Sequence, residues 1–92
     1  MNIEPEYKVG SCRTALVYGL DYDEMREKIG FDPNVTHLDD PAKVDASWGM
    51  KVDGKYCAIW SYRGSGAHFV WSAYGDHEKL AELFGPNFQG GY

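Results

Sequence analysis

No stretch of this sequence is apolar for long enough to cross a membrane as a helix. Its first residues, MNIEPEYKVG, lack the apolar segment of a secretory signal. The expectation is a cytoplasmic chain that is neither exported nor inserted. Cysteine is scarce: Cys12 and Cys57 alone supply no disulfide framework, so reduced thiols are expected. Positive charge is also short. Nine Lys and Arg against 14 Asp and Glu leave a net charge of −5, which removes the basic footprint that a phosphate backbone requires. Direct binding of nucleic acid is therefore not expected, and the carboxylates are too scattered to mimic DNA. Repeats and low-complexity tracts are missing. The 92 residues suffice for one domain with one modest core.

Aromatic residues are in surplus. They make up 15% of the chain, with three Trp and seven Tyr, more bulky surface than so small an interior readily absorbs. Some of it is expected at an interface, and an acidic chain suits a partner with a basic surface.

Residues 1–11 show no clear period and read as an arm that either docks or frays. RTALVY, Arg13 to Tyr18, is rich enough in β-formers to be a first strand. Asp21 is placed to cap the next turn, and Glu24, three residues on, completes a capping box. A helix is expected from Tyr22 to Ile29, with Tyr22, Met25 and Ile29 on its apolar face and Gly30 as its C-terminal stop. FDPNVTHLDDPA, broken by its prolines, reads as a loop. KVDASWGMKV then alternates apolar and polar, which predicts a strand.

Asp53-Gly54 follows at once, the pair favoured in two-residue hairpin turns whose central residues both need positive φ. Such a turn sets Val52 opposite Lys55, Met50 opposite Cys57, Trp48 opposite Ile59 and Ala46 opposite Ser61. Val44, Ala46, Trp48, Met50, Val52, Cys57 and Ile59 then share the core face. Tyr56, Ala58, Trp60 and Tyr62 fall on the other, over Lys51, Gly49, Ser47 and Asp45. RGSG allows a second hairpin into AHFVWSAY. A two-residue loop adds Phe69 and Trp71 to the aromatic face; a three-residue loop sends them to the core. Asp76 caps a last helix carrying Leu80, Leu83 and Phe84, stopped by Gly85-Pro86, and residues 86–92 read as a flexible tail with Phe88 and Tyr92. The order β-α-β-β-β-α implies a two-layer α+β domain over residues 1–92, an antiparallel meander with both helices on one face.

Chemistry is thin. His37 lies near Asp39 and Asp40, but the spacing of His37, His68 and His77 matches no metal pattern, and the pairing reads as a solvated loop. Cys57 and His68 suggest a thiolate-imidazole pair, yet Cys57 falls on the core face, where a thiol is structural. RGSG has the glycines of a phosphate nest, but it joins strands rather than opening a helix. No catalytic residue, metal ligand or cofactor is assigned. A platform of Tyr56, Trp60 and Tyr62 would suit base stacking were it ringed by Lys and Arg, which it is not. Two accounts of it remain: coverage by the chain's own termini, or a protein-binding face of Tyr56, Trp60, Tyr62, Arg63, Phe69 and Trp71.

The segment ASWGMKVDGKYCAIWSYRGS resembles a pattern in small bacteriophage accessory proteins, through Trp48, Asp53, Gly54, Ile59, Trp60, Tyr62 and Arg63. YDEMREKIG is also similar to the helix-then-meander order of small outer-membrane assembly lipoproteins, without their signal peptide or lipidation cysteine. The phage resemblance implies a cytoplasmic factor made during infection that inhibits a host enzyme or defence protein, and it brings no catalytic residues. The resulting expectation is a non-enzymatic binding protein, with a small-ligand or nucleotide-binding domain around Arg63, Ser65 and His68 as the alternative. A homodimer burying the aromatic face is compatible with either.

Overall fold

A computed structural model describes residues 1–10, 12–63 and 69–90. Their chain order is β1 (Ile3–Pro5), β2 (Ala15–Tyr18), α1 (Tyr22–Ile29), a 3-10 turn (Thr36–Leu38), β3 (Val44–Val52), β4 (Lys55–Tyr62), β5 (Val70–Gly75), α2 (His77–Phe84), a second 3-10 turn (Gly85–Asn87) and β6 (Phe88–Gln89). The strands form one antiparallel sheet in the order β1-β3-β4-β5-β2-β6. It is the small α+β fold with a β-meander that the sequence implies.

Local chemistry explains the joints. Asp21 accepts the Glu24 amide at 2.8 Å while the Glu24 carboxylate accepts the Asp21 amide at 3.1 Å, closing the capping box. Gly30, at φ 100°, ends α1 in the left-handed region. Asp53 and Gly54 take φ 50° and 81°, and β3 and β4 pair in the register that this turn dictates.

α1 contributes Met25 and Ile29 and α2 contributes Leu80 and Phe84 to one core, with Trp48, Met50, Val52, Cys57, Ile59, Trp71, Ala15 and Val17. Both helices thus cover the same face of the sheet. The two large core indoles are anchored: Trp48 Nε1 donates to Phe31 O at 2.8 Å and Trp71 Nε1 to Leu20 O at 2.7 Å. Their rings meet edge-on, 5.6 Å apart.

Two expectations are corrected, and the open reading of the arm is decided. The arm docks rather than frays, because Ile3–Pro5 adds an edge strand to Met50–Val52. The tail is not wholly free either: Phe88 and Gln89 pair with Val17 and Leu16 beyond the 3-10 turn. Val44 leaves the core face, since a bulge between Val44 and Ala46 sets Val44 opposite Tyr62 and packs it with Ala58 and Trp60. One extra residue in a strand reverses the side-chain alternation beyond it, and no alternating pattern announces where that happens.

Along β3, the edge groups that β1 does not reach are satisfied by the loop after α1. Asn34 accepts from Gly49 N and donates to Gly49 O, both at 2.9 Å, so its amide imitates a strand neighbour. Val35 N donates to Ser47 O, and Ser47 N donates to the Thr36 hydroxyl. An edge closed in this way offers no template for another chain.

Candidate functional site

The platform expected from the sequence exists, but the N-terminal arm lies across it. After β1 the chain leaves the sheet edge, passes over β3 and β4, and rejoins the sheet as β2 beyond β5. Residues 6–10 therefore form a strap over the helix-free face. It crosses β3 at Gly49, where the carbonyls of Glu6 and Lys8 occupy the space a Cβ would need. It crosses β4 where Gly10 meets Trp60 and Ala58; a Cβ there would stand 2.6 Å from Trp60 Cζ3. Glycine at both crossings is what lets the layers approach so closely.

Polar contacts fix the strap. Glu6 N donates to Gly49 O at 2.9 Å, the Tyr56 hydroxyl donates to Lys8 O at 2.8 Å, and the Lys8 ammonium sits 5.0 Å from the centre of the Tyr56 ring. Burial, with Tyr74, Glu6 and Cys57 nearby, pushes the Tyr56 phenol up to about 12. Trp60 is 4% exposed. Of the two accounts the sequence leaves open for this ring, coverage by the chain's own terminus is the one observed.

The six residues expected to form one binding face divide. Tyr56 and Trp60 lie under the strap. Tyr62 is 40% exposed, its ring edge-on to Trp60. Arg63 is at the end of β4, and its Nε and Nη2 donate to Pro41 O. Trp71 is 1% exposed and belongs to the core: Ile59 opposes Ala73 and Trp60 opposes Ser72, so the odd residues of β5 face the helices. Its assignment to the aromatic face is thus corrected, the strand register having decided what the loop sequence leaves open. Ser65, His68 and the rest of the glycine-rich turn lie outside the described residues, as does Tyr92.

Phe69 and the edge of Trp71 meet elsewhere. With Asp21, Tyr22, Asp45, Ala46 and Ser61 they line a groove of about 370 Å³ on the helix side, where the start of α1 passes the open ends of β3, β4 and β5. Tyr22 is 45% exposed and Phe69 49%, so both rings are accessible from solvent. Each is held by its neighbours. Tyr22 follows the Asp21 cap and packs on Trp48 at 5.9 Å. Phe69 keeps a φ of 60°, unusual for an aromatic residue, while its carbonyl accepts the Gly19 amide at 2.9 Å. The bulge gives β3 its extra residue, Asp45, at the groove. Two carboxylates and two accessible rings thus surround an apolar floor. Sequence reasoning missed Asp21, Tyr22, Asp45, Ala46 and Ser61 here; the one visible signal was a large ring directly after a helix cap.

The nucleophile candidate is quiet. Cys57 is buried, burial pushes its thiol up to about 11, and its Sγ has a weak contact with Asp76 O at 4.0 Å. Among the described residues no three His, Cys, Asp or Glu side chains converge as a metal site would need, and no helix is long and apolar enough to cross a membrane.

No protein-family model matches the chain, and no curated protein or solved structure shows significant similarity to it.

Proposed function

We propose that this protein is a non-enzymatic binding factor whose contact surface is the groove between Tyr22 and Phe69, and whose partner is a protein with a basic surface. The observation that carries the reading is the groove itself: exposed rings on an apolar floor, beside carboxylates, in a chain of net charge −5. Isolated exposed rings are ordinary; rings converging on a concave site with polar groups at its margin are the usual form of a recognition surface. The charge adds steering toward a basic partner. An inhibitor of a host enzyme or defence protein, the role implied by the phage resemblance, is the specific form we give this reading.

Photo-cross-linking tests it. A cross-linker at position 69 should capture one dominant protein from a bacterial lysate, and the capture should disappear when Tyr22→Ser is added. The same group at Tyr7, on the strap and 70% exposed, should capture nothing comparable. Equal capture from both positions, or capture indifferent to Tyr22→Ser, refutes the assignment.

A further inference from the structure

We infer that the seat beneath the strap is a binding site for an extended polypeptide main chain, and that residues 1–10 occupy it as a built-in competitor of an extended segment from a partner protein. This site is separate from the groove, on the other side of the sheet. What the seat reads in the arm is backbone. Ile3–Pro5 pairs with Met50–Val52 as an added strand; Asn2 N donates to Asp53 Oδ1 at 2.7 Å, and Asn2 O accepts from Asp53 N at 2.8 Å. Farther along, Glu6 N donates to Gly49 O at 2.9 Å, Asn34 Nδ2 donates to Glu6 O at 3.4 Å, and Tyr56 Oη donates to Lys8 O at 2.8 Å. Each of these bonds takes an N–H or C=O from the arm. Side chains add less: Lys8 lies over the Tyr56 ring, the Glu6 to Lys51 ion pair spans 3.7 Å between partly exposed groups, and Tyr7 is 70% exposed.

Such contacts define a class of ligand. A site that adds a strand at a sheet edge and bonds main-chain groups accepts an extended segment with wide latitude in its side chains. Gly49 lets the segment's carbonyls descend onto β3, while the crossing of β4 demands a residue without a side chain, since a Cβ at Gly10 would stand 2.6 Å from Trp60 Cζ3 and 3.0 Å from Ala58 Cβ. The ligand is thus an extended segment that ends on glycine. The arm does not complete the seat. Ser47, on the Gly49 side of β3 and opposite Trp60, is wholly buried, and its hydroxyl has no hydrogen-bond partner. A segment with a polar group at that point satisfies a need that the arm leaves open. Because it is tethered, the arm competes at high effective concentration and sets a threshold for any such guest.

The probe is a blocked peptide of residues 2–10 carrying a nitroxide in place of the Tyr7 side chain, titrated into the full chain with Gly10→Val, whose own arm cannot settle on Trp60. It should broaden the NMR signals of the Tyr56 and Trp60 rings saturably, and bind the wild-type chain about tenfold more weakly because the arm competes. Exchanging Glu6 and Lys8 of the peptide for Gln should change affinity by about threefold at most. Methylating the amide nitrogen at position 6 should weaken it by about tenfold or more, through loss of the bond to Gly49 O. Valine at position 10 of the peptide, or Gly49→Ala in the chain, should abolish binding, whereas Ser47→Ala should leave it unchanged. A Gln peptide as weak as the methylated one overturns the inference, because side chains are then what is recognised. Weakening by Ser47→Ala also overturns it, since the seat is then fitted to the arm alone. If Gly10→Val does not fold, the wild-type chain carries the test at peptide excess, and broadening confined to other regions, or none, is refutation in either chain. Mixed dimers of variant and wild-type chains in light scattering, without uptake of the peptide, would assign the seat to a second copy and overturn the inference.

Discussion

Gly49→Ala is the substitution that most directly probes how the sheet's second face is closed. Gly49 is not among the positive-φ residues, so a methyl group there carries no conformational penalty of its own. What it meets is backbone, the carbonyls of Glu6 and Lys8, and backbone cannot swing aside as a flexible side chain would. The strap must lift. Lifting it sacrifices the bonds Glu6 N to Gly49 O and Tyr56 Oη to Lys8 O, each worth about 1 kcal/mol net. It also uncovers part of Trp60, and fully exposing a large apolar side chain costs about 1.5–3 kcal/mol. Half of that is a fair share, because the indole still rests on the sheet. The expected loss is about 3 kcal/mol, a large part of the 5–15 kcal/mol typical of a domain. Urea unfolding followed by tryptophan fluorescence measures it, and acrylamide quenching should report a newly accessible indole. The decisive control is a double-mutant cycle with a chain lacking residues 1–10, in which the alanine has nothing to strike and should cost about nothing. A penalty of the same size in the truncated chain would refute the mechanism, as would an unchanged midpoint in the full one.

Three further outcomes follow from single groups. Tyr56→Phe should cost about 1 kcal/mol in urea unfolding, the net worth of its bond to Lys8 O. Because the phenol is raised in the folded state from 10.0 to about 12, its stabilisation is complete below pH 10 and fades as pH climbs to 12; absorbance at 295 nm should show one late-titrating tyrosine, absent from the Phe variant. A thiol reagent at neutral pH should label exposed Cys12 rapidly and buried Cys57 only on unfolding, since burial pushes the Cys57 thiol up to about 11. Asp53, held below its ordinary 3.8 by the Asn2 amide and Lys79, stabilises the fold fully above that value and loses the effect as pH falls through and below it; Asp53→Asn should flatten this part of the acid unfolding curve.

Much of the framework was legible because local chemistry and pattern agreed. The Asp21 and Glu24 cap, Gly30, the Asp53-Gly54 turn and the Asp76 cap each name a boundary with a mechanism, and each boundary is where they place it. The register of β3 with β4 followed from the turn. Features carried by long-range contact were not legible. Ile3–Pro5 has no periodicity to mark it as a strand, and Phe88–Gln89 is too short to register; both are strands because a neighbour supplies hydrogen bonds. Of the candidate site, the sequence supplied Phe69 and Trp71 but attached them to Trp60, from which the register of β5 separates them. The Asp45 bulge breaks an alternation that the residues themselves continue.

Gly10 and Gly49 acquire their meaning only once the strap is seen. Within the sequence one closes an irregular arm and the other interrupts a good strand, where glycine weakens pairing and gives no packing. The cost of Gly49 is offset by close approach of two backbone carbonyls, a contact no other residue permits at that position. This bears on function through geometry. A strap seated on Tyr56 and Trp60 occupies the area that a homodimer or a partner was expected to use, and it leaves Tyr22 and Phe69 untouched on the helix side. Beyond the rings of the main core, two groups of aromatic residues thus have different surroundings. One group seals a second, smaller core against the chain's own backbone. The other, Tyr22 and Phe69, stands at the mouth of the groove, on the opposite side of the sheet from the strap and out of its reach.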